Sequence, residues 1–291
     1  MALAGAFLFV ILILNLGEIK PEKSPDHLRD LKTPSDITLT PHKALYKIKL
    51  VSSKSGSQVI NVSGDMYYEL NKTCDAWITD HRFKLRYDYV NSSPLQIKSN
   101  FSTYESFDGK SFHFTSRRKR GGVVYEEIEG VATMPGHEVS LKEKQQGGRA
   151  VFEQPEGLSY DLPSGTYFPI NHTLAILKEA KKGKNFFQSV VFDGSDDTGP
   201  VTINAFIGDT YNAIAELQPS AKIDTSLLNT SAWKMRLAFF PLNEDSVTSD
   251  YEMEMIFHDN GVVSDMLVEY KYFSVTQSLV ALEHLGSPNC E

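Results

Sequence analysis

The chain has 291 residues, of which 41% are hydrophobic and 11% aromatic, and its formal net charge is −8. That apolar content supplies a sizeable core, and at this length an all-β barrel or sandwich commonly forms a single domain. The acidic balance, with no basic block beyond Ser116–Gly121, argues against nucleic acid and against anionic membrane surfaces as partners of the body.

In chain order, Ala2–Leu14 is almost wholly apolar. As a helix it would reach roughly 20 Å at ~1.5 Å per residue, short of the ~30 Å hydrocarbon core of a bilayer. Residues 1–16 are therefore expected to be a signal peptide or N-terminal hydrophobic segment, although no Lys or Arg precedes Lys20 and no Ala-x-Ala follows. Residues 17–37, with Pro21, Pro25 and Pro34 among scattered charges, read as a linker to a domain spanning 38–291. Export implies an oxidising compartment, in which the two cysteines, Cys74 and Cys290, form a bridge more readily than they stay free. The alternative is two buried, unpaired thiols. Their spacing excludes a Cys-x-x-Cys redox or zinc site.

Period-two alternation then predicts strand after strand. Lys43–Leu50 sets Tyr46, Ile48 and Leu50 against Lys47 and Lys49; Gln58–Leu70 returns; Asn71–Asp75 is a turn holding Cys74; Trp77–Tyr89 follows. Asp108-Gly109 joins Asn100–Phe107 to Ser111–Ser116, a strong hairpin signal. The basic cluster Arg117–Arg120 reads as a charged hairpin tip that keeps a sheet edge soluble, or as an anion or protease site. Val123–Met134 resumes the sheet, and a weaker, glycine-punctuated stretch runs to Phe152. Asn171–Gly183 is the best helix: Asn171 or Thr173 can cap it, Leu174, Leu177 and Ala180 line one face, and Gly183 stops it. Strands at Asn185–Phe192, Val201–Ile207 and Trp233–Phe240 precede a hairpin in which Asp250–Phe257 turns at His258–Gly261, and Phe273–His284 leads on to Cys290. About a dozen strands with one interior helix predict a mainly β, antiparallel closed or nearly closed barrel, or a sandwich.

Chemistry is sparse. Eight histidines are scattered without ligand spacing, and Asp193, Asp196 and Asp197 lack the alternate-position oxygens of a calcium loop. No nucleophile elbow, phosphate loop or dinucleotide fingerprint occurs. No catalytic residue, metal ligand or cofactor is assigned, and the reading is non-enzymatic.

Several stretches taken together resemble one family: Thr40–Tyr46, Phe101–Phe112, Phe168-Pro169 before the helix, Phe192–Asp196, Asp250–Glu254 and the late cysteine. In this order they resemble the cell-envelope-integrity EipB family of periplasmic proteins of Gram-negative, chiefly alphaproteobacterial, cells. The resemblance covers roughly Thr38 to Cys290. It implies a spiral-like broken β-barrel, a periplasmic location, a structural Cys74–Cys290 disulfide, a role in envelope integrity and a partner containing tetratricopeptide repeats. The expected function is therefore a non-enzymatic envelope-integrity protein acting through a protein partner. The alternative is a carrier that holds a lipid or lipoprotein acyl chain inside the barrel, with Phe112, Phe114, Met253 and Met255 as candidate lining residues. The plain reading of those four is an ordinary packed core.

Overall fold

The computed structural model describes residues 37–135, 147–211, 222–242 and 248–290. The predicted N-terminal hydrophobic segment and the linker up to residue 36 lie outside the described residues; Ile37 is already buried in the core. No helix among the described residues is long and apolar enough to cross a membrane.

Fourteen strands are described: β1 (His42–Ser53), β2 (Val59–Lys72), β3 (Ala76–Tyr89), β4 (Leu95–Ser106), β5 (Ser111–Arg120), β6 (Val123–Thr133), β7 (Gly148–Gln154), β8 (Ser159–Leu162), β9 (Phe186–Val191), β10 (Val201–Tyr211), β11 (Ala232–Pro241), β12 (Tyr251–His258), β13 (Val263–Tyr270) and β14 (Phe273–His284). They form one sheet in the order β8-β7-β6-β5-β4-β3-β2-β1-β14-β13-β12-β11-β10-β9, with antiparallel ladders throughout. The topology is two meanders stitched together where β1 pairs with β14, from His42↔His284 to Ser53↔Phe273. The predicted antiparallel, barrel-like fold is present, but the sheet does not close. α1 (Pro169–Lys181), the one α-helix among the described residues, connects the two edge strands β8 and β9 along the chain.

The alternation that marks the strands also coils the sheet around its apolar face. In β1 the buried positions are His42, Ala44, Tyr46 and Ile48, while Lys47 and Lys49 are exposed. Two clusters result. The larger joins both meanders and includes Tyr46, Met66, Leu177, Met255 and Val268. The smaller lies under β5–β8, where Phe112, Phe114 and Phe152 meet Phe168 and Phe192. The loop after β9 packs onto this second cluster. Arg118 Nη2 donates to Ser195 O at 2.8 Å, and Tyr160 OH donates to Asp197 O at 2.7 Å. Gly194 lies so near the Phe114 ring that a Cβ would sit 2.4 Å from it, so a side chain there would drive loop and sheet apart.

Two local expectations need correcting. Arg117–Arg120 is not a hairpin tip: it lies within β5, in the interior of the sheet, and the tip is Gly121-Gly122. The glycines supply the positive φ angles of the turn, so the cluster stays extended and meets glutamates across the ladder. Arg117 pairs with Glu127 at 3.0 Å and Arg118 with Glu126 at 2.5 Å, while Arg120 sits over the Tyr125 ring. The helix also begins two residues before Asn171, with Pro169 in its first turn, and neither Asn171 nor Thr173 caps it. Glu105, on the inner face of β4, accepts from the backbone N–H of Ile170 and of Asn171, each at 2.7 Å.

Cys74, in the β2–β3 turn, is bonded to Cys290 with an S–S distance of 2.05 Å. The bridge lies at the same end of the sheet as His42 and His284. That end is the disulfide end; the opposite one, where β1 meets its turn and β14 begins, is the rim.

Candidate functional site

A cavity of about 560 Å³ runs between the two meanders, within the range of small-molecule sites. Inward positions of β1–β3 form one wall and those of β12–β14 the other, and Ile170 and Thr173 of α1 border it. Register sets the facing residues. Met66 of β2 lies beside Phe83 of β3, and Tyr68 beside His81. Across the cavity, Met255 lies beside Met266 and Met253 beside Val268.

The lining is electrically quiet. None of the described lining residues is Asp, Glu, Lys or Arg. Burial holds the His81 imidazole down to about 4, so that it is neutral near pH 7, and raises the Tyr68 and Tyr46 phenols above their ordinary range. Tyr46 spends its hydroxyl on Val263 O at 2.6 Å, which ties β1 to β13 across β14. Tyr68 meets His81 edge to face, with ring centroids 4.8 Å apart. Four methionines, Met66, Met253, Met255 and Met266, give the walls side chains that repack readily around an irregular guest.

The cavity's lining closes in toward the disulfide end and is most exposed toward the rim. Leu39, Leu70, Phe257 and Ile170 at the disulfide end are all buried. At the rim Tyr251 and Met253 are half-buried and Tyr270 is 39% exposed. There Tyr89, Tyr87, Phe273, Tyr270, Tyr251 and Phe239 form a continuous arc of rings, each 4.2–6.4 Å from the next. The four tyrosines among them, each an apolar ring with a polar hydroxyl, suit a boundary between an apolar interior and water.

Near the disulfide end, fully buried Glu105 holds the start of α1, taking a third bond from Asn171 Nδ2 at 2.7 Å. Burial outweighs these three hydrogen bonds and pushes its carboxyl up to about 7.

Of the four predicted lining residues, Met253 and Met255 border the cavity. Phe112 and Phe114 do not. They are fully buried in the second cluster, with Phe112 stacked on Phe168 at 4.9 Å and Phe114 against Phe192 at 5.5 Å. The cause is the loop after β9, which fills the inner side of β5 and leaves no space there. Sequence reasoning missed Tyr46, Tyr68, His81 and Gln277. Their inward phase was readable, but not which strands face each other across the lumen. Among the described residues no cluster of three or more His, Cys, Asp or Glu side chains is placed to hold a metal ion.

Comparison with known proteins matches residues 33–286 to the model of a family described as EipB-like. A relative, the cell envelope integrity protein EipB of Brucella abortus (strain 2308), is 25% identical over 254 residues, which cover 86% of this chain and 85% of the relative. The crystal structure of a β-barrel-like protein of a domain of unknown function, also from Brucella abortus, superposes with a TM-score of 0.76 at 25% identity, covering 86% of this chain and all of that one.

Proposed function

The chain belongs to the EipB-like family, and from that premise we propose that it is a non-catalytic periplasmic protein that maintains the integrity of the cell envelope by engaging a protein partner. The observation that carries this reading is the match over nearly the whole domain, together with a relative bearing that role in its name. The partner is a protein with tetratricopeptide repeats, as the family resemblance implies. Deleting the gene should sensitise cells to detergent and to large antibiotics, and the intact gene should restore resistance; unaltered resistance in the deletion strain would refute the role. Crosslinking in intact cells followed by mass spectrometry tests the partner. A tetratricopeptide-repeat protein should be recovered with the wild-type chain, and reproducible crosslinks to other proteins alone would rule it out.

A second reading, that the barrel holds an acyl chain, is favoured by the uncharged, methionine-rich cavity, most exposed at one end. Native mass spectrometry of protein purified from the periplasm without detergent should then show a bound species of lipid mass, removable by organic extraction.

A further inference from the structure

One lining residue does not fit a purely apolar lumen. Gln277 sits on the inner face of β14, between Ile48 of β1 and Met266 of β13. It is only 6% exposed and borders the cavity, and its Oε1 is buried without a hydrogen-bond partner among the described residues. A buried acceptor left unpaired is costly, and a leucine or methionine of similar size would avoid that cost. An acceptor held at such a place points to a guest that supplies the donor. A site built around one buried polar group also rejects close analogues that cannot bond to it.

We propose that the cavity selects amphiphiles whose apolar chain carries a hydroxyl partway along its length, with Gln277 Oε1 as the acceptor that reads it. This inference rests on the acyl-chain reading above and adds the identity of the chain. The position of the hydroxyl follows from the strand. Gln277 lies four residues beyond Phe273, which belongs to the aromatic arc at the rim. At ~3.3 Å per residue this is ~13 Å below the mouth. An extended hydrocarbon advances ~1.3 Å per carbon along its zigzag of ~1.5 Å bonds, so a chain whose head stays at the rim brings roughly its tenth to twelfth carbon to Gln277. One inward step nearer the disulfide end, Met66 and Phe257 border the space for the remaining chain.

The test uses the full, delipidated protein and three probes: stearate, 12-hydroxystearate and 2-hydroxystearate, with affinities measured by calorimetry. The expectation is that 12-hydroxystearate binds about 2- to 10-fold more tightly than stearate, the worth of one net hydrogen bond. The 2-hydroxy isomer, whose hydroxyl stays near the mouth, should gain nothing. In Gln277→Leu, or in Gln277→Met if the first variant folds poorly by circular dichroism, the preference should vanish while stearate binding persists or tightens. Equal binding of stearate and 12-hydroxystearate to the wild type would overturn the proposal and leave the acyl-chain reading standing, with Oε1 then satisfied by water alone. A preference that survives in a folded Gln277 variant would overturn it as well. If none of the three acids binds, both the proposal and the acyl-chain reading fail.

Discussion

Glu105 is a carboxyl pulled in opposite directions. Burial favours its neutral form, three hydrogen bonds at the start of α1 favour the anion, and the balance places its titration at about 7. Because the folded value is above the unfolded one, the folded state holds this proton more tightly. The stabilisation is complete below about pH 4.5 and is lost as pH rises toward 7, by up to ~3 kcal/mol. His81, His172 and His258 act in the reverse sense. Burial lowers each to about 4, so their contribution is present above pH 6.5 and is lost as pH falls toward 4. The raw stability curve therefore mixes both signs, and the informative quantity is a difference. Glu105→Gln should destabilise the protein, because the two backbone N–H groups reach different carboxylate oxygens and the NH2 that replaces one of them cannot accept, and the gap between wild type and variant should narrow from pH 4.5 to 7. Urea denaturation across that range measures it; a pH-independent gap would show that Glu105 does not titrate there.

At the scale of elements, α1 depends on what it covers. Its buried residues are Ile170, His172, Ile176, Leu177 and Ala180, and Leu177 is wholly enclosed in the larger cluster. Leu177→Asp should cost several kcal/mol, since it adds an unpaired buried charge to the loss of an apolar side chain. A melting temperature within a degree or two of wild type would mean that the helix is dispensable to the core. The helix also shows where sequence was legible and where it was not. Leu177, Ala180 and the stop at Gly183 follow from periodicity and glycine chemistry. The start does not, because its cap comes from Glu105, a residue distant in the chain and near only in the fold. Hairpins were clear where Asp108-Gly109 and Asn260-Gly261 declare a turn. β8 (Ser159–Leu162) was not seen, since four residues are too few to show a period. The cavity was only half legible. Alternation placed Met253 and Met255 inward, but the same alternation made Phe112 and Phe114 equivalent to them, and only the path of the loop after β9 separates packed core from open lumen.

For the whole molecule, the decisive contact is the joining of the first strand to the last. The disulfide reinforces it, linking residues 216 apart in sequence. Closing so long a loop in the unfolded chain restricts it by an amount worth ~2–5 kcal/mol. Cys74→Ser and Cys290→Ser should lower stability by similar amounts, and the double variant should be no worse than either, since all three remove one bond. Reductant should cause the same loss in wild type and none in the variants; non-identical losses on reduction and substitution would show that the cysteines act through packing instead. The β1–β14 ladder has a further effect in time rather than in energy. Among the described residues every other ladder joins strands consecutive in the chain, so each meander can zip up as its residues reach the compartment where the protein folds. β1 emerges first and its second partner last. Until β14 pairs with it, the twelve-residue edge of His42–Ser53 has one side unpaired and is open to a strand from another molecule. The folding chain thus passes through a period of vulnerability that lasts until its final strand arrives, and contact between neighbouring copies during that interval would favour strand exchange.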